Sequence, residues 1–275
     1  MKRRRNSQAI PEGIQALIMN ENKDDIFHGI FLAYGNEIDG DTLIQWMIKQ
    51  NILAKDMNFF TTSLQRETFL LVLEYFPNAK YFQSVKELFL SDIGLEKLID
   101  EIGNLTNLEM LVLRRNNLRE LPDSIGELKN LQFLGLSHNE ISELPDSIGK
   151  LKKLRQLFLN DNNLSELPDS ISKLKNLEEL YLNNNNLSDL TDSIGNLKNL
   201  RVLRLSKNNL SDLPDSFGKL TNLERLHLNE NNLTELPDSI GNLKNLTYLN
   251  LYDNNLSSKE KQLIKKLLPK TEVEF

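Results

Sequence analysis

Between Leu108 and Leu268 the chain repeats one phrase, Leu-x-x-Leu-x-Leu-x-x-Asn-x-Leu-x-x-Leu-Pro-Asp-Ser-Ile-Gly-x-Leu-x-Asn. Its opening leucine falls at Leu108, Leu131, Leu154, Leu177, Leu200, Leu223 and Leu246, always 23 residues apart. A fixed period of this size marks a solenoid. A unit this short cannot bury its own apolar face, whereas a stack of units can.

The phrase also predicts the coil. In the unit from Leu108, Leu111 and Leu113 alternate with Val112, as in a short strand with one buried face. An asparagine then holds register at Asn116, Asn139, Asn162, Asn185, Asn208, Asn231 and Asn254. A carboxamide donates and accepts at once, so a column of these is expected as a buried ladder that satisfies backbone groups between coils. Pro122, Pro145, Pro168, Pro214 and Pro237 withhold a donor and end each strand segment. Asp123-Ser124 offers a helix cap, and Ile125 and Leu128 sit three apart on one side of a short helical turn.

These residues resemble the leucine-rich repeat family, and most closely its 23-residue class, found in bacterial repeat proteins and in eukaryotic Ras-pathway scaffolds. The resemblance covers about two-thirds of the chain, in seven registered copies. It implies an α/β solenoid with a curved parallel sheet on the concave face and short helices on the convex face. It also implies binding of other proteins rather than catalysis.

Three regions are expected. Residues 1–84 do not repeat and read as a helical N-terminal capping region; Lys2–Arg5 form a solvated basic start. Ile10, Ile14, Leu17 and Ile18 have helical spacing, and Ile26, Phe27, Ile30 and Phe31 are assigned to one side of a second helix, stopped at Gly35-Asn36. A third helix presents Leu43, Trp46 and Met47, with Ile52 and Leu53 near its end; Phe59 and Phe60 precede a fourth, about Ser63–Phe76. Residues 85–256 are the repeats. The first is degenerate, with Ile93 in the ladder position and Ile99 in the proline position. Elsewhere Glu140, Ser172, Thr191 and Phe217 depart from the phrase without a functional signal. Residues 257–275 read as a helix and a final strand, and this ending resembles the C-terminal cap of bacterial members of the class.

Composition narrows the function classes. A net charge of −6 argues against a general nucleic-acid binder. With no cysteine there is no disulfide frame, thiolate metal site or cysteine nucleophile. His28, His138 and His227 stand far apart, and no nucleophile elbow, phosphate loop or dinucleotide fingerprint occurs, so neither enzyme chemistry nor a cofactor or metal is expected. Without an apolar segment after the basic start, the chain reads as cytoplasmic, with no membrane span, and export as an effector stays open.

The positions that the phrase leaves free carry the remaining information. On each strand the outward residues sit two, four and six after the opening leucine. Apolar and aromatic ones concentrate in the first half: Phe89, Met110, Val112, Phe133, Phe158 and Tyr181. These are expected to face solvent, with Arg114, Arg204 and Arg225 beside them as charged contacts. The function expected is a monomeric, non-catalytic module binding another protein on its concave face, as a bacterial adaptor or effector. The alternative is a surface or secreted receptor or adhesin that holds a peptide or glycan.

Overall fold

The computed structural model describes residues 10–20, 22–50, 52 and 63–275. The basic start at residues 2–5 and the apolar residues Leu53, Phe59 and Phe60 lie outside them. The described elements are helices α1 (Glu12–Ile18), α2 (Lys23–Gly35), α3 (Gly40–Lys49) and α4 (Ser63–Tyr75), then nine strands, with α5 (Ser258–Leu267) before the last.

Local chemistry sets the helix ends. The Asn22 side chain accepts the Asp24 N–H, and the Asp39 carboxylate accepts the Thr42 N–H at 2.9 Å, starting α2 and α3. The Asn36 side chain donates to the Leu32 carbonyl at 2.8 Å where α2 stops. One expectation needs correction. Ile26, Ile30 and Ala33 are buried, but Phe27, Phe31 and Tyr34 are exposed along an adjacent stripe of α2. Their rings gather round Tyr75, with centroids 5.6–6.1 Å away. Residues i and i+1 lie 100° apart on a helix, and in α2 the buried stripe is filled by Ile26, Ile30 and Ala33, which turns Phe27 and Phe31 toward its edge. Helix α4 lies against the first coil, where Phe69 packs edge-on to buried Phe82 and the Arg66 Nη1 donates to the Ser91 carbonyl at 2.7 Å.

The strands are β1 (Glu87–Phe89), β2 (Met110–Val112), β3 (Phe133–Gly135), β4 (Gln156–Phe158) and β5 (Glu179–Tyr181). They continue with β6 (Val202–Arg204), β7 (Arg225–His227), β8 (Tyr248–Asn250) and β9 (Glu272–Glu274). All pair in parallel, in chain order, in one open sheet. The central leucine of each repeat strand, Leu111 through Leu249, is fully buried. The return segments are 3-10 turns such as Asp123–Glu127, with Ile125 and Leu128 buried.

The helix cap expected at Asp123-Ser124 does not form. Pro122 occupies the cap position, and no side chain there bonds to the turn. Asp123 and Ser124 are already inside the turn, one place too late to cap it. The serine instead faces the glycine of the preceding coil. A Cβ on Gly103, Gly126, Gly149, Gly195 or Gly218 would sit within 3.0 Å of Ser124, Ser147, Ser170, Ser216 or Ser239. Glycine in Ser-Ile-Gly is thus required by close approach between coils. By the same offset Ser172 faces Ser193, and Ser193 shares a hydrogen bond with Thr191. Two departures from the phrase therefore sit at one joint.

The asparagine column is buried from Asn116 to Asn231, and Asn254 is half-buried. Asn162 represents the group. Its Nδ2 donates to the Leu136 and Leu159 carbonyls at 3.0 and 3.1 Å, and its Oδ1 accepts the Ile141 N–H at 3.0 Å. Each carboxamide thereby bridges its own coil to the one before. Just before it, one residue per coil takes a left-handed conformation: Asp92, Arg115, His138, Asp161, Asn184, Lys207, Glu230 and Asp253 have φ of 53–58°. This turns the chain sharply enough to aim the next side chain inward.

Candidate functional site: the strand face

The outward residues of β2 to β7 form a surface with an internal order. Gly135, Phe158, Tyr181, Arg204 and His227 are direct register neighbours. Phe133 belongs to the adjacent column, opposite Gln156, yet its ring leans across Gly135. A Cβ on Gly135 would lie 3.0 Å from its Cε1. The missing side chain therefore seats the ring.

The result is a continuous stack. The Phe133 and Phe158 rings are 5.1 Å apart, and Phe158 and Tyr181 lie nearly parallel at 4.3 Å. The Arg204 guanidinium sits 5.0 Å from the Tyr181 ring centre, a cation–π distance. Phe89, Met110, Val112, Phe133, Phe158 and Tyr181, expected to face solvent, lie on the outward side and are half-buried. Adjacent rings shield one another and leave their outer faces accessible. Arg114 and Arg225 are exposed, and Arg204 is half-buried. Sequence reading missed the Phe133 lean and the Arg204 contact. The glycine opposite Phe158 was the available signal.

Polar groups hold the stack at its rim. The Tyr181 hydroxyl donates to Glu179 at 3.0 Å, and Glu179 also accepts from Gln156 at 2.9 Å. Burial, then the Glu179 contact, raises the Tyr181 pKa above its ordinary value. A depression lined by Glu87, Glu109, Met110, Gln132, Phe133 and Glu178 lies beside the aromatic end. Past Tyr181 the character changes. A depression of about 360 Å³ is lined by Arg204, His227, Lys207, Asp161 and several small polar residues. His227 packs on Tyr248 at 5.1 Å between centroids. Burial, then Arg204 and Arg225, lowers the His227 pKa below its ordinary value. Among the described residues, the buried atoms Arg204 Nε and His227 Nε2 find no hydrogen-bond partner.

Charges on the flanks are treated differently. Lys86–Glu109, Arg155–Glu178 and Arg201–Glu224 pair at 2.7–3.0 Å across neighbouring coils. A second asparagine column runs there too. Asn107, Asn130, Asn176, Asn199, Asn222 and Asn245 each donate to a carbonyl 24 residues earlier, at 2.7–2.9 Å. The repeat phrase contains this asparagine, but nothing in its spacing assigned it a bond. Among the described residues, no group of three or more His, Asp or Glu side chains could hold a metal ion. No described helix is long and apolar enough to cross a membrane.

Comparison with known proteins agrees with this architecture. The family model for a leucine-rich repeat region matches residues 68–185 and 180–273. No curated protein is matched. Among solved structures, a plant peptide hormone receptor, RGFR1 in complex with RGF2, is 32% identical with a TM-score of 0.62. The match covers 71% of this chain and 32% of that one. A TDR receptor is 30% identical with a TM-score of 0.64, over 71% of this chain and 36% of the receptor. An internalin from Listeria monocytogenes, at 19% identity and TM-score 0.56, covering 74% of this chain and 69% of that one, shares the fold. This chain thus spans about a third of each receptor chain. The fold indicates a protein-interaction module of a typically non-catalytic kind. The chain belongs to the leucine-rich repeat family.

Proposed function

We propose that this protein docks a protein partner on its strand face, over the stack of Phe133, Phe158 and Tyr181, without catalysing a reaction. The stack carries the proposal. Phe158, Tyr181 and Arg204 in register, with the Phe133 ring leaning in from the next column, form a rigid, partly desolvated anchor of the aromatic and arginine types enriched at interfaces. Phe89, Met110 and Val112 extend it toward the N-terminal block, and Arg114, Arg204 and Arg225 supply charged contacts. Residues 1–84 cap the open end of the first coil, and 257–275 cap the last. The class resemblance of the C-terminal cap supports a bacterial adaptor or effector, which on this reading works in a cytoplasm without a membrane partner, and a net charge of −6 favours a protein over a nucleic-acid partner.

A pull-down from source-cell and candidate-host lysates tests this. Wild type is compared with a Phe133→Asp, Phe158→Asp, Tyr181→Asp variant whose far-UV spectrum and melting point show that it folds. The expected outcome is a partner captured by wild type alone. Equal capture by both would place the binding surface elsewhere.

The receptor character of two relatives favours a second reading, a surface or secreted receptor for a peptide or glycan. Fractionation of source cells separates the two: the first reading expects the protein in the cytoplasmic fraction, the second at the surface or in the medium.

A further inference from the structure

The cationic end of the strand face stands out because its charges are left open. On the flanks, Arg155 and Arg201 each face a glutamate one coil away. On the strand face, Arg204 contacts the Tyr181 ring, and among the described residues neither Arg204 nor Arg225 forms an ion pair. The Arg204 Nε is a buried donor without an acceptor, and His227 Nε2 beside it is likewise unbonded. Such a donor costs roughly 1–3 kcal/mol if it stays unpaired. Both atoms belong to residues that line the 360 Å³ depression. Asp161, on its wall, is already engaged by Asn160, Asn184 and His138. Glu230 is taken by Lys207, and Glu274 by Tyr248 and Asn250.

We propose that Arg204, Arg225 and His227 form a subsite for a carboxylate of the bound partner, next to an apolar side chain that the aromatic stack receives. This rests on the protein-binding reading above. It adds the chemistry and the direction of the bound segment: apolar end over β4 and β5, acidic end over β6 and β7. The spacing follows from geometry. Two strand intervals measure about 10 Å. An extended polyproline-II segment brings residues i and i+3 to one side about 9 Å apart. The bound segment therefore carries Asp or Glu three positions from an apolar residue. The guanidiniums of Arg204 and Arg225 offer the carboxylate charge-assisted donors, and His227 adds positive charge beside them when protonated.

A displayed library of random linear peptides, selected on the full chain, tests this. Wild type is run beside an Arg204→Gln, Arg225→Gln variant and a Phe158→Asp variant, each checked for folding. Wild type is expected to enrich an acidic residue three positions from an apolar one. The double glutamine variant should keep the apolar preference, lose the acidic one and bind the selected peptides about tenfold or more weakly, a difference of about 1.4 kcal/mol. Rising salt should weaken wild type toward the variant. Selected peptides without the acid, or undiminished binding by the double variant, overturn the subsite. A wild type that enriches nothing also overturns it, because the proposal commits to an extended segment, while a folded partner could still dock. Identical selections by wild type and Phe158→Asp would instead defeat the strand-face reading as a whole.

Discussion

On every strand, neighbouring residues point to opposite sides of the sheet, and the two sides are written by different rules. Inward, Leu111, Leu134, Leu157, Leu180, Leu203, Leu226 and Leu249 repeat one residue and are all fully buried. One position later and outward stand Val112, Gly135, Phe158, Tyr181, Arg204, His227 and Asn250, with no residue used twice. Close packing and hydrogen-bond satisfaction constrain the first set. The second is held by contacts of its own, such as Gly135 beneath the Phe133 ring and Tyr181 on Glu179, but not by one repeated residue, so its choices are where recognition can be encoded. Changes to the inward rule should cost stability, and changes to the outward set should alter binding.

The largest expected effect is inward. Asn162→Leu strands the Ile141 N–H, at roughly 1–3 kcal/mol, and takes one donor from each of the Leu136 and Leu159 carbonyls, which keep those of Asn139 and Asn185. Chemical denaturation should show a large loss of stability, and an unchanged midpoint would contradict the role assigned to this column. Phe158→Ala should cost less, about 1–2 kcal/mol, through two lost ring contacts. It should nonetheless abolish partner capture, and capture at wild-type level would erase the contrast between the two sides.

A smaller effect comes from His227, which faces Arg204, Arg225, Tyr248 and Glu274. Its folded pKa lies below the ordinary value, so the unfolded chain takes up a proton first as pH falls. Its contribution to stability should therefore decline as pH drops through the ordinary histidine value of about 6.5, and level off below the folded pKa. Melting temperatures across pH should show a shallower decline in His227→Gln than in wild type. A bound carboxylate would favour the imidazolium, so the acidic peptides should bind more tightly at the lower pH. The smallest effect is expected from Lys207→Asn. It relieves part of a left-handed strain that asparagine tolerates, as Asn184 does one coil earlier, for a gain of up to about 0.5 kcal/mol. A loss in the denaturation midpoint would show that Lys207 contributes more through Glu230 than its backbone costs.

Much of the fold was legible because repetition averages out local ambiguity. One coil is a weak signal, but the same Leu and Asn in seven registered copies, with Pro in five of them, leave few ways to stack. Contacts between coils were less legible. The serine–glycine column and the second asparagine column require the offset between neighbouring turns, which no single phrase contains. At the site, the outward columns could be written from strand period alone. The lean of Phe133 across Gly135 could not, since it depends on a side chain that is absent. The cation–π contact of Arg204 depends on rotamers, which periodicity does not specify. In α2, Phe27 and Phe31 were assigned inward from apolar character, although Ile26, Ile30 and Ala33 already fill that side.

The paired columns also govern how such a molecule can change in length. Every ladder carboxamide bonds within its own coil and to the coil before it, so each joint presents nearly the same donors and acceptors as the next. Removing or duplicating one whole coil would let the flanking joints close again with every backbone group satisfied. The return segments have more latitude: β9 follows β8 at 24 residues rather than 23 and still pairs with it in register. An insertion there lengthens the outer loop of one coil, whereas one inside a strand or at the ladder turn displaces that coil's own leucine or asparagine. Each added coil lays one more freely chosen strand beside the stack.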